Sequence, residues 1–431
     1  MPNSHLSYFL ENFELAYSCQ PNWESFSIGF DESCKIILSK PEIKNPNSYL
    51  NTITWKTWKG KKIPFLMNTK DCDEIVSKHK NGSVSVNLDI VSSAWFLLSG
   101  VQELDKTKRD KYGRFDYQHS SQKALEITET PVVNYYFDIL KEAILLAHGI
   151  DIQPERKLSA TITHDIDEIA SAWKHRIRIA HENKKYIKAI GFGVSHIIKP
   201  FEPWKNIKEL ADYNSSKKIP STFFFLPKNN KLQQIKNADY EWNSSYVKKI
   251  IGYLNNSEHE IGVHGSYKTH DSEKELTSDI ACFKQRPTSN RFHFLQFEQQ
   301  TTSEILDSAR IEKDSSLGFQ ENIGFRNSVC TPFKLYNFET EKSFKFIEIP
   351  LNIMDCTLEY ENYMNLSPNK SLERIKQLVS EIKKFNGNVC LNWHNTYFSE
   401  YEKKEWKTLY KEILLLLIAE NCTFYTIKDL K

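Results

Sequence analysis

The sequence predicts an α/β protein. A parallel sheet, open or closed into a barrel, is expected over residues 155–431, behind a smaller α+β region over residues 1–150. Three observations carry this. The chain has 431 residues, more than one ordinary domain uses. Short β-like stretches and apolar helices fill residues 1–150 and stop at a polar, proline-containing segment, DIQPERK (151–157). Beyond it strands and helices alternate, and repeated β-then-α units pair their strands in parallel.

In chain order, TITWKTWKGKKIPFLM (52–67) reads as a hairpin turning at Gly60. SVSVNLDI (83–90) alternates and runs into an apolar helix, and RDKYGRFDY (109–117) is a polar loop. VVNYYFDILKEAILLAHGI (132–150) has helical spacing and ends at Gly149, a suitable C-cap. LSATITH (158–164) and STFFFL (221–226) open the strand series. A helix over 246–256 leads to the strand HEIGVH, and another over 272–284 follows. FHFLQF, FIEIPLNI and NVCLNWH read as further strands, with amphipathic helices over 371–385 and 402–420.

Composition narrows the function classes. With 57 basic and 55 acidic residues the formal charge is +2, so no electrostatic case for a nucleic-acid partner exists. The longest apolar run, Ile413 to Ala419, is too short to span a bilayer, and the N-terminus lacks the pattern of a secretory signal. A cytoplasmic protein is expected. The eight cysteines form no CxxC pair and read as free buried thiols. There is no GxSxG elbow and no GxxxxGK[ST] loop, and Gly191 and Gly193 lack a third glycine.

Chemistry collects at the C-terminal ends of strands in such sheets. The first strand ends in Thr163-His164-Asp165-Ile166-Asp167-Glu168. Carboxylates two residues apart project to one side of a strand end, one free to hold a metal and the other to act as a base. The same acids would also suit a helix N-terminus. HEIGVH ends in His264 and the last strand runs into His394, and each alone reads first as a structural histidine. Together, three strand ends carrying DxD, His and His point to metal-assisted hydrolysis.

On THDID, STFFF, GYLNNSEHEIGVHGS and NVCLNWHN, residues 155–431 resemble the polysaccharide deacetylases, carbohydrate esterases with the NodB homology domain. HEIGVH after a helix is the most specific piece. The resemblance implies a distorted (β/α) barrel and hydrolysis of an N-acetyl or O-acetyl group on a sugar or polysaccharide precursor, here of bacterial surface polysaccharide type. It implies a divalent metal, zinc first and cobalt, nickel or manganese next. It implies Asp165 as base, Asp167 and His264 as metal ligands and His394 as general acid. Residues 1–150, on AWFLLSGVQEL, RDKYGRF and PVVNYYFDIL, resemble an N-terminal domain that precedes some divergent deacetylases, for which the resemblance names no function.

The departures are specific. Where the family has a second histidine, four residues after the first, this chain has Lys268, which cannot bind a metal while charged. Strand alternation in RFHFLQF would put Arg291, His293 and Leu295 on one face, so His293 is expected as third ligand, with His270 as the alternative. Arg291 and Arg326 are candidates for the family's arginine, orienting the base or contacting substrate. Lys268 also leaves room for a non-catalytic glycan or partner binder, and a small non-sugar amide is a further substrate class. The basic run Lys174, Arg176, Arg178, Lys184, Lys185 and Lys188 reads as a solvated helix face, or as a contact for a phosphate-bearing substrate.

Overall fold

In the computed structural model, which describes residues 2–40, 52–68, 71–182, 184–188, 190–192, 202–232, 235–400 and 403–431, the alternation beyond residue 157 becomes one parallel sheet. Gly193 and Glu402 lie outside the described residues. We number the strands of this sheet in chain order: β1 Ser159–Ile166, β2 Ser221–Phe225, β3 Glu260–Gly265, β4 Ser289–Phe292, β5 Lys313–Asp314, β6 Ile347–Glu348, β7 Ile353–Met354, β8 Asn388–Asn392 and β9 Thr423–Tyr425. Their spatial order is β6-β5-β4-β3-β2-β1-β8-β7, with β9 beside the first half of β1. Every residue of β1, β2 and β8 is buried, because layers cover both faces.

The two edge strands are neighbours in sequence. The connection from β6 to β7 bonds both edges, Ile349 N to the Asp314 carbonyl at 2.8 Å and Asn352 N to the Cys390 carbonyl at 3.3 Å. Inside the curl, Arg291 of β4 reaches Thr163 and Asp165 of β1 and Cys390 of β8. The sheet is therefore a distorted, barrel-like parallel sheet. Helices pack outside it: α1 Ala172–Glu182, α2 Ile207–Ser216, α3 Ser245–Asn255, α4 Glu273–Ile280, α5 Gln299–Ser308, α6 Pro368–Lys383 and α7 Lys404–Ala419.

Among residues 1–150, the hairpin Thr54–Trp58/Lys61–Phe65 turns at Gly60 (φ 81°), and the helix Val132–His148 ends at Gly149 (φ 71°). Their core does not stop at residue 150. Phe9, Phe13 and Phe137 share one apolar cluster with Phe292, Tyr336 and Phe344. Arg326 Nη2 and Glu103 form a buried ion pair across the same boundary at 2.6 Å. Among the described residues, no helix is long and apolar enough to cross a membrane. All eight cysteines are free.

Two expected strands differ. FIEIPLNI is split into β6 and β7, since Pro350 between them has no N–H to donate to a ladder. RFHFLQF stops being a strand at Phe292: Phe294 and Leu295 adopt left-handed conformations, φ 60° and 54°. The acids of the first motif do not cap a helix either. Asp239 holds the loop between β1 and α1, accepting from Ile169 N at 2.6 Å and Ala170 N at 2.9 Å.

Candidate active site

Alternation along β1 separates its end residues. His164 turns outward, against the Trp393 carbonyl at 2.7 Å and Asn214 of α2 at 3.0 Å. Asp165 and Asp167 turn into the mouth of the curl. Asp165 is 3% exposed. Its Oδ1 accepts from Arg291 Nη1 at 3.0 Å and its Oδ2 from Asn392 Nδ2 at 2.8 Å. Burial opposes its charge, but Arg291, His264 and His394 outweigh burial and hold its pKa below the usual carboxylate range.

Asp167 meets two imidazoles. Its Oδ1 lies 3.2 Å from His264 Nε2 and 3.7 Å from His293 Nδ1, and the two ring nitrogens are 3.3 Å apart. A cation bonded at about 2.0–2.2 Å needs ligand atoms roughly 3–3.6 Å apart; two sides of this donor triangle lie in that range and the third, 3.7 Å, is just longer. Two further features fit a cation. Asp167 Oδ1 is buried and receives no hydrogen bond among the described residues. His264 Nδ1 is tied to the Arg291 carbonyl at 2.7 Å, which turns Nε2 to the centre. Burial opposes the Asp167 charge, and the surrounding imidazoles hold it well below the usual carboxylate range. Burial lowers His293 to about 4, leaving a neutral ring with a lone pair to offer. Burial also disfavours a charge on His264, but Asp165 and Asp167 raise it overall.

His394 faces this group from the end of β8, with Nε2 3.7 Å from Asp167 Oδ2. Its Nδ1 pairs with Asp355 Oδ1 at 2.7 Å, and its backbone N–H donates to Asp355 Oδ2 at 2.6 Å. Burial disfavours the imidazolium, yet Asp355, Asp167 and Asp165 raise its pKa to about 10. Sequence reasoning missed Asp355. The rule that exposed the other residues would have found it, since it directly follows the short strand β7.

These groups line a cleft of about 330 Å³ together with Tyr360, Tyr363, Tyr397 and Phe294. The region before residue 150 contributes a wall that was not foreseen. Tyr112 stacks on Phe294 at 5.0 Å, and Gln296 Nε2 donates to the Tyr112 carbonyl at 2.7 Å.

The remaining candidates separate. His293 joins Asp167 and His264, although a strand end and turn carry it there, not a continuing strand. His270 is buried outside the cleft lining, and its carbonyl accepts from Thr302. Lys268, at φ 71°, lies 4.0 Å from Asp271 and is not in the lining either. Arg291 is 0% exposed, with its guanidinium spent on Asp165, Thr163 and Ser315, so it meets the aspartate and not the cleft. Arg326 does not reach the cleft; Glu103 holds it through two hydrogen bonds, at 2.9 and 2.6 Å. Substrate contact by either arginine, one of the two roles expected from the sequence, is corrected by that burial.

Residues 7–148 match the model of a family of unknown function, DUF7033. No curated protein matches the sequence. Among solved structures, the chain is similar to a candidate polysaccharide deacetylase from Mycobacterium smegmatis, with 16% identity over 63% of this chain and 94% of that one and a TM-score of 0.37. It is similar to Puue allantoinase, with 12% identity over 64% and 90% of the two chains and a TM-score of 0.42. It is also similar to a CE4 family pseudoenzyme from Bacillus anthracis, with 11% identity over 59% and 62% and a TM-score of 0.29.

Proposed function

We propose that this chain is a metal-dependent hydrolase that removes an acetyl group from an N-acetylated sugar. The observation that carries the reading is the meeting, in one cleft, of three groupings: the Arg291-held Asp165, the Asp167–His264–His293 triangle and the Asp355–His394 pair. A divalent cation held by Asp167, His264 and His293, zinc by its N/N/O donor set, would polarise the acyl oxygen and lower the pKa of the attacking water.

The protein's own groups divide the proton work. Asp165, fixed by Arg291 and Asn392, accepts the proton of the attacking water. His394, kept as an imidazolium by Asp355, donates a proton to the leaving nitrogen. Tyr112, Phe294, Tyr360 and Tyr397 line the cleft with aromatic surface for a sugar to pack on. Lys268, the feature that favoured a non-catalytic binder, stands away from these groups.

The test is acetate release by metal-loaded protein from N-acetylhexosamine oligomers, nucleotide-linked sugars and small amides, with and without a chelator. Chelator-sensitive release from a sugar substrate is expected. Release confined to small amides would move the reading to the non-sugar class, and none from any substrate would overturn it.

A further inference from the structure

A second cavity, of about 640 Å³, opens beside the reaction cleft. Glu168, Lys236, Tyr360, Thr396 and Tyr397 line both, so the two are continuous. Three separate stretches of chain bring cations to it: Lys174 and Arg178 on α1, Lys231 and Lys236 on the hairpin Lys231–Leu232/Ile235–Lys236, and Lys403 ahead of α7. Glu168 is the one carboxylate among the lining residues. Lys403 is already matched by Glu359 at 2.5 Å. Lys174, Lys231 and Lys236 still outnumber Glu168.

A solvated helix face accounts for Lys174 and Arg178 alone. It does not explain why the hairpin turns Lys231 and Lys236 to the same hollow. Like charges gathered in a concave site repel one another, and they raise the local concentration of anions.

A second observation is independent of the charges. Trp204 lines this cavity, is 4% exposed, and its indole Nε1 has no acceptor among the described residues. A buried N–H without an acceptor is costly, and indole nitrogen can only donate. Asn395 Nδ2 donates to the Trp204 carbonyl at 2.9 Å, tying this wall to a residue of the reaction cleft. A ligand bearing several acceptor oxygens and a negative charge would meet both the cations and the indole.

We infer that this cavity binds a phosphate or diphosphate group carried by the substrate, so that the acetylated sugar is presented as a phosphate conjugate. The inference rests on the deacetylase reading for what lies in the neighbouring cleft. Nucleoside-diphosphate and polyprenyl-diphosphate conjugates share this chemistry.

The experiment uses the metal-loaded chain of residues 1–431 and titrates glucose 1-phosphate, a weak chelator, by calorimetry. Saturable binding is expected, weakened by added salt and at least 10-fold by the double substitution Lys174→Glu/Lys231→Glu. Neither lysine lines the reaction cleft, so hydrolysis of an uncharged N-acetylhexosamine oligomer should stay within twofold of the parent, which also reports folding. Trp204→Phe, which keeps the ring and removes the donor, should weaken glucose 1-phosphate binding as well. Absence of saturable binding to the parent, or equal binding by the double variant, overturns the inference. Comparing kcat/KM for the two kinds of diphosphate-linked N-acetylhexosamine with that for the uncharged oligomer identifies the source, and no preference for either conjugate overturns it. If acetate release fails on every substrate while phosphate binding behaves as stated, the deacetylase reading falls and the anion site stands.

Discussion

The turn after His293 is the place where the region before residue 150 acts on the candidate metal centre. Phe294 and Leu295 follow that histidine with φ of 60° and 54°. Left-handed backbone costs an ordinary residue about 1–2 kcal/mol, so the pair stores about 2–4 kcal/mol. Arg114 Nη1 donates to the Phe294 carbonyl at 3.2 Å, and Tyr112 stacks on the Phe294 ring with 15° between the planes. A hydrogen bond from a charged donor contributes about 1.5–3 kcal/mol and an aromatic pair about 0.5–1.5 kcal/mol, together close to the strain. Arg114→Met keeps most of the buried volume and deletes the charged donor. Gln320 Nε2, which also donates to that carbonyl at 3.1 Å, remains, so the turn should lose part of its support and shift the His293 ring. Removing about 1.5–3 kcal/mol from the turn that positions His293 should cost about 10–100-fold in zinc affinity, equivalent to about 1.4–2.8 kcal/mol. Zinc is titrated into metal-free protein against a chromophoric chelator at pH 7, with thermal unfolding followed in parallel. Tyr112→Ala should lose about 3–10-fold, in line with a stacking energy of about 0.5–1.5 kcal/mol. In a His293→Ala background, Arg114→Met should cost nothing more. Zinc affinity within twofold of the parent in a folded Arg114→Met protein would refute the reasoning, and so would an undiminished loss in the His293→Ala background.

Three further outcomes are expected. Asp167→Ala and His264→Ala should each lose bound metal while staying folded, whereas Asp165→Asn and His394→Ala should keep it and lose about 100-fold or more in kcat; full metal occupancy in the first pair, or near-normal kcat in the second, removes the residue from its role. His394 donates as an imidazolium, so activity falls as pH rises through its pKa of about 10, and Asp355→Asn should move that limb to lower pH; an unmoved limb in the kcat profile counts against the pairing. Glu348, fully buried beside Asp314, has its pKa pushed well up by burial and by that carboxylate. The folded state thus holds a proton that the unfolded chain gives up near pH 4.3–4.5, and stability declines as pH rises from there toward the folded value. Glu348→Gln should flatten that decline, unfolding at a temperature near the parent's around pH 4.5 and above it at pH 8, as read by calorimetry; parallel curves at all pH values would exclude the shared proton.

Local patterning accounts for much of the site. The β-then-α repeats predict a parallel sheet, the two-residue period of β1 sends Asp165 and Asp167 to one side, and His264 and His394 stand at the same end of that sheet on β3 and after β8. His293 could be placed beside His264 because consecutive strands of such a sheet are usually adjacent. These are short-range facts, set by backbone geometry and by burial of both sheet faces. What only the tertiary structure decided depends on partners far away in the chain. Strand β4 stops at Phe292 because contacts from Tyr112 and Arg114, about 180 residues earlier, hold a left-handed turn that no local propensity favours. Glu103 takes Arg326, and the pairing of β7 with β8, Met354 opposite Asn392, brings Asp355 to His394. Lys231 and Lys403 reach the cavity that Lys174 and Arg178 line for the same reason: their charges meet only after segments far apart in sequence have packed, and no pattern within one segment encodes where another will lie.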